Sequence, residues 1–143
     1  MRIAFVILAL LGITASFLAL REHYRPYGDS PCDINEHWDC GIVNHSPYAV
    51  IHGVPVATIG IAGYLLFGAL ALRRAYRLML ALAIPALAFS LYLAHIEKDI
   101  LGVWCLYCAI SLGTISLMTI LLSVTALLRV LSPNKKAALS DRP

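Results

Sequence analysis

Charge is what this chain lacks most. Only 13% of its residues are Asp, Glu, Lys or Arg, against 60% hydrophobic, where a soluble domain carries about a quarter charged and under half apolar. Too few polar side chains remain to cover a water-exposed globule, and the length suits a single domain. Other absences narrow the chemistry. There is no glycine-rich nucleotide loop, no HExxH and no paired-carboxylate site. The 11 basic residues are scattered or abut apolar runs, so no nucleic-acid partner is expected. Cysteine is scarce, four in 143 residues, and where those four fall carries most of the functional reading.

What is abundant is uninterrupted apolar sequence. Ile3–Leu20, Val54–Leu72, Leu78–Ala94 and Ile100–Leu128 contain no charge over 18, 19, 17 and 29 residues. A helix crosses the hydrocarbon of a bilayer with about 20 apolar residues, range ~17–25. Three runs fit and the fourth is too long to lie wholly inside. Four soluble core helices would leave too little polar sequence to cover them. Gly60, Gly63, Gly68 and Pro85 fall within these runs, which membrane helices tolerate, and Pro85 is expected to kink the third. Ile3–Leu20 is longer than the ~7–15-residue apolar core of a cleaved signal, and no A-x-A precedes Arg21, so it reads as a retained first helix. The fold expected is all-α: an integral-membrane four-helix bundle over residues 1–130, then a polar cytoplasmic tail over 131–143.

Lys and Arg orient the spans. Arg2, Arg73, Arg74, Arg77, Arg129, Lys135, Lys136 and Arg142 fall on one side and only Arg21, Arg25 and Lys98 on the other. That second side also holds Glu22, Asp29, Asp33, Glu36, Asp39, Glu97 and Asp99. Both termini are therefore expected in the cytoplasm, with the 21–53 loop and a short 95–99 turn outside.

All four cysteines map to the outer half. Cys32 and Cys40 lie in PCDINEHWDC, Cys105 and Cys108 in GVWCLYCAIS. Counting back about 20 residues from Arg129 puts the hydrocarbon edge near Ala109, so the C-x-x-C sits at the outer membrane boundary. A structural disulfide is a fair reading of Cys32–Cys40, worth roughly 2–3 kcal/mol for so short a loop. It suits Cys105–Cys108 poorly, because that bond closes almost no loop. Structural zinc prefers closer spacing than C-x7-C and free thiolates, so no metal is expected. Ala109 after Cys108 excludes a haem-attachment motif. At a helix N-terminus, unsatisfied N–H groups and the helix dipole favour a thiolate, the species that attacks a disulfide or an electrophilic ring. The remaining reading is an electron relay. A mobile, water-facing loop pair meets a protein, and a fixed helix pair meets a lipid-dissolved quinone. The rival from another class is a non-enzymatic membrane subunit whose disulfides are structural.

Local sequence adds detail. Ser46-Pro47 reads as N-cap and first residue of a short surface helix that ends near His52-Gly53, with Tyr48, Val50 and Ile51 lying on the membrane as a lid. Trp38 and Trp104 suit the interfacial belt, with stacking on a quinone ring as the alternative. His37 and His45 read as solvated loop residues near the cysteines, with proton transfer as their alternative role. His95, beside Glu97, marks the interface.

The order C-x7-C in the first outer loop, Ser46 six residues on, Gly60 with Tyr64, then Cys105-Leu106-Tyr107-Cys108 heading the fourth span resembles the vitamin K epoxide reductase family over about residues 3–130. The DsbB type of four-helix thiol oxidase carries its two pairs in reverse order. The resemblance implies helices around a quinone, ubiquinone or menaquinone, partly covered by the outer loop. It implies that Cys108 faces the quinone, Cys105 resolves, Cys40 exchanges with Cys105, and Cys32 takes electrons from a thioredoxin-like protein. Quinone contacts would be Ser46, Val56, Gly60, Tyr64, Trp104 and Leu112. Vertebrate relatives carry Asn and Tyr at the positions of Val56 and Leu112, which points away from epoxide reduction. Bacterial relatives often fuse a thioredoxin-like domain after the fourth helix, whereas SPNKKAALSDRP follows here, so the partner is expected to be separate and DsbA-like. The activity implied is a membrane thiol:quinone oxidoreductase that drives disulfide formation. The alternative is reduction of vitamin K quinone or its epoxide by the same cysteines. No retention signal ends the chain, so a bacterial inner membrane is the expected location.

Overall fold

The computed structural model describes residues 1–131; the rest of the expected tail, with Lys135, Lys136 and Arg142, lies outside the described residues. The fold is mostly helical. α1 spans Arg2–Tyr24, α2 Cys40–His45, α3 Val56–Leu72, α4 Tyr76–Ile96 and α5 Leu106–Leu131. Three segments are long and apolar enough to cross a membrane, namely α1, α4 with its extension to Leu101, and α5. α3 has 17 residues, a length of about 26 Å, at the short end of the spanning range.

Small residues set the packing. The buried face of α1 is Phe5, Ala9, Gly12, Ala15, Ser16, Ala19 and Glu22, a stripe at helical spacing that lets α3 come close. A Cβ at Gly12 would collide with the Tyr64 ring, and one at Gly60 would lie 2.7 Å from Ser16 Oγ. Close approach of backbones is what joins helices in lipid, where burial of apolar surface gives little preference. Outward, Ile7, Leu10, Leu65, Leu91, Ile120 and Leu127 are all exposed, a surface suited to acyl chains and not to water. The core runs through Phe5, Tyr64, Phe67, Met79, Met118 and Leu122. At one end of the molecule Phe5 packs on Tyr76 at 5.7 Å, and the Arg129 guanidinium lies over the same ring at 5.4 Å. The cysteines occupy the other end.

Several boundaries differ from the sequence expectation. The short helix expected from Ser46 to His52-Gly53 is only one 3-10 turn, Pro47–Ala49, with Ser46 at its N-cap position. An earlier helix precedes it: Asp39 caps α2, its Oδ1 accepting the Ile42 N–H at 2.7 Å, while Ser46 Oγ donates back to the Val43 carbonyl at 2.8 Å. Val50–Ile51 (β1) pairs antiparallel with Val54–Pro55 (β2), across a turn in which His52 and Gly53 both have positive φ, 50° and 83°. Two left-handed residues are what a two-residue hairpin of this hand demands. The hairpin takes Val54 and Pro55 from the second apolar run, so α3 starts at Val56. The expected 95–99 turn is also helical. α4, with Pro85 inside it, continues as a wider π turn over Glu97–Leu101 and stops at Gly102, φ 70°. The connection between α4 and α5 is therefore 102–105, and Ile100–Leu101 belong to the end of α4 and not to α5.

Candidate active site

The loop between α1 and α2 is folded by its own polar side chains. Asn35 Oδ1 accepts the N–H groups of His37 and Trp38 at 2.9 and 3.2 Å. Asp33 Oδ1 accepts from Gly41 N–H at 3.3 Å. The loop is then strapped to the segment before α5. Asp39 N–H donates to the Trp104 carbonyl at 3.0 Å, and Trp104 N–H donates to the His37 carbonyl at 2.8 Å. The residue before Cys40 is thereby tied to the residue before Cys105. Cys32, Cys40, Val43, Val103 and Cys105 form one buried cluster against which Cys108 packs. Cys32 and Cys40 are disulfide-bonded, with Cα atoms 5.5 Å apart, and Cys105 and Cys108 are free thiols. Cys32 is 2% exposed and Cys40 and Cys105 are 0% exposed. The expectation of a mobile, water-facing loop pair is corrected by this: the strap and the turn around Asn35 seal it inside.

Two polar residues that sequence reasoning passed over serve the sulfurs. Asn44, one helical turn after Cys40, donates from Nδ2 to the Cys40 carbonyl at 2.8 Å and to Cys105 Sγ at 3.6 Å. Its own carbonyl accepts His23 Nδ1–H at 2.6 Å, which seats α2 on the end of α1. His45, expected as a solvated loop residue, is exposed but placed between the carbonyls of Gly41 (2.8 Å) and Arg25 (2.9 Å). Cys105 stands at the N-cap of α5, where its Sγ accepts the Cys108 N–H at 3.4 Å. Glu97, buried at 4% exposure, accepts the Cys105 N–H on Oε2 at 3.0 Å, and it lines the same cavity as Cys108. The signals available in sequence were an Asn four residues after a cysteine and an acid at the end of an apolar run. Neither belongs to a motif.

Beside Cys108 opens a cavity of about 280 Å³, close to the ~300 Å³ lower bound for small-molecule sites. Ser46, Val56, Gly60, Tyr64, Trp104 and Leu112 all line it, and Cys108 is the one cysteine on its wall among the described residues. Trp104 thus serves both the strap and the cavity. Tyr64 OH donates to the Ser111 carbonyl at 2.9 Å, and with Ser46 Oγ committed to Val43, both hydroxyls keep only acceptor capacity toward the interior. Gly63 also lines the cavity, and a Cβ there would meet nothing within 4 Å. Mostly apolar walls, an open glycine backbone and a thiol at one side suit a flat apolar ring with a few polar atoms. Chemically, the site can exchange disulfides between two pairs and present one of the four sulfurs to a lipid-soluble oxidant. A family model described as Vitamin K epoxide reductase family matches residues 3–126. No curated protein matches the chain.

Proposed function

The chain belongs to the vitamin K epoxide reductase family, whose members are membrane oxidoreductases that use quinones and work with thioredoxin-like partners, and from that premise we propose that it oxidises an extracytoplasmic thioredoxin-fold protein at the expense of a membrane quinone. The observation that carries the reading is the meeting of two cysteine pairs in one buried cluster, with Cys108 alone among them opening onto an apolar cavity.

Electrons enter when the strap between the loop and Trp104 opens, a partner thiolate attacks Cys32 Sγ and Cys40 leaves as the thiolate. Cys40 then attacks Sγ of Cys105 in a Cys105–Cys108 disulfide, which frees Cys108. The partner's second thiolate attacks the partner's own sulfur in the mixed disulfide, which completes the partner disulfide and frees Cys32; Cys32 then attacks Cys40, restores the loop disulfide and releases Cys105. The described state, loop pair bonded and inner pair reduced, corresponds to the moment after this transfer. A bound quinone supplies a two-electron, two-proton sink. The chain orients Cys108 toward it, excludes water with Trp104, Val56 and Leu112, and resolves through Cys105. Each exchange conserves electrons, so one partner disulfide forms per quinone reduced. Val56 and Leu112 favour a plain quinone over an epoxide, since each adds apolar wall and no donor.

The four long helices surround this cavity as a bundle, with α2 and the hairpin as its outer cover. The arginine-rich end faces the cytoplasm and the cysteines the outer face, in a bacterial inner membrane. The direct test is the ultraviolet loss of ubiquinone or menaquinone by purified protein given a reduced thioredoxin-fold donor. Cys105→Ala and Cys108→Ala are each expected to abolish it while insertion and expression stay intact. Degraded variants whose surviving molecules turn over normally would show the disulfides to be structural instead.

A further inference from the structure

We propose that Glu97 is the proton carrier of the inner cysteine pair: its carboxylate takes the proton from the Cys108 thiol and passes it on into the cavity. The destination of that proton rests on the quinone reading; the transfer from sulfur to carboxylate does not. The placement is unusual for an acid. Glu97 is 4% exposed, and the ion pairs among the described residues are Arg25–Glu22 and His95–Asp99, so no basic side chain lies within 4.0 Å of it. A carboxylate sealed from water without a cation costs several kcal/mol, and one N–H bond does not return that. Its Oε2 is held by the Cys105 N–H at 3.0 Å, Cys105 Sγ in turn accepts the Cys108 N–H at 3.4 Å, and Glu97 lines the same cavity as Cys108.

The other titratable groups around it do not compete. His23 of α1 is committed through Nδ1 to the Asn44 carbonyl, and Tyr64 of α3 to Ser111. Tyr48, after α2, and Tyr107 of α5 complete the titratable wall of the cavity. Glu22 of α1 is paired with Arg25. On the α2 side, Asp39 accepts from Ile42 N–H and Asp33 from Gly41 N–H, His45 lies between two carbonyls, and Cys40 is in its disulfide.

The step balances. The Cys108 S–H bond breaks and a Glu97 O–H bond forms. Oxidation of the pair makes the Cys105–Cys108 bond and gives up two electrons and two protons to the quinone, which leaves as quinol. Glu97 delivers the Cys108 proton first, then takes and delivers the one lost by Cys105, and ends as the carboxylate it began.

The test needs no quinone. Reduced protein is alkylated with N-ethylmaleimide from pH 5 to 9, and mass spectrometry follows Cys108, since Cys105 is fully buried. While thiol and carboxylate share one proton, the thiolate fraction does not change with pH, so the wild-type rate is expected to show a plateau. E97Q keeps an oxygen for the Cys105 N–H but cannot take a proton. Its rate should fall about tenfold per pH unit toward acid, as for a lone thiol, and Glu97→Asp should restore part of the plateau. Superimposable profiles for wild type and E97Q overturn the proposal. If E97Q fails to insert, the wild type alone decides, because an unbroken tenfold-per-unit slope also overturns it. A protein with the plateau that reduces no quinone refutes the functional reading and leaves Glu97 as the acceptor for Cys108.

Discussion

Asn44 is the side chain through which the two cysteine pairs touch a common donor, and replacing it should slow transfer between them without unfolding the protein. Its Nδ2 reaches the Cys40 carbonyl at 2.8 Å and Cys105 Sγ at 3.6 Å. Asn44→Leu keeps the volume and removes both donors. The Cys40 carbonyl still lies in the first turn of α2, so the loss there is an ordinary hydrogen bond of about 1 kcal/mol in stability. The sulfur is different, because Cys105 carries negative charge as nucleophile or leaving group. Hydrogen bonds to charged groups contribute ~1.5–3 kcal/mol, and 3.6 Å places this one at the weak end. A loss of about 1.5 kcal/mol in the transition state is roughly a tenfold slower exchange. Asn44→Asp should be slower still, since it sets a like charge against the same sulfur. The assay mixes oxidised protein with one equivalent of reduced thioredoxin-fold donor, quenches in acid, alkylates, and locates the reduced pair by mass spectrometry against time. A folded Asn44→Leu protein that moves electrons from the loop pair to the inner pair within twofold of the wild-type rate would refute the reasoning.

Two glycines give independent checks on the cavity. Gly63→Leu should fill open space, since a Cβ there meets nothing within 4 Å; the Michaelis constant for quinone is expected to rise severalfold while the thermal midpoint barely moves. Gly12→Ala should do the opposite. Its methyl would collide with the Tyr64 ring, which is pinned at its far end by Ser111. Overpacking of this kind costs ~1–3 kcal/mol, read as a lowered midpoint in detergent.

Much of the architecture was legible because lipid imposes a simple rule. Backbone polar groups have no partner in hydrocarbon, so spanning segments must be helical and must lack charge. The runs at Ile3–Leu20 and Leu78–Ala94 lie wholly inside α1 and α4 for that reason. Boundaries were less legible where apolar residues served other ends. Val54 and Pro55 read as the start of a span but pair in a hairpin, and Ile100–Leu101 read as the start of another but close the turn after α4. Hydropathy does not separate these cases. Polar caps are more local: Ser46-Pro47 does start the 3-10 turn that its pattern suggested, only shorter than expected.

The sequence by itself determined that four cysteines lie toward one end of a set of long apolar helices, because charge and hydropathy act residue by residue. Only the tertiary structure decided that the loop pair is sealed, that Asn44 reaches a sulfur 61 positions away, and that Glu97 lies between the helix end and the inner thiols. Those facts depend on contacts between segments remote in the chain. Periodicity reports which face of a helix is apolar, and it carries no information about which polar atom the next helix will bring to meet it.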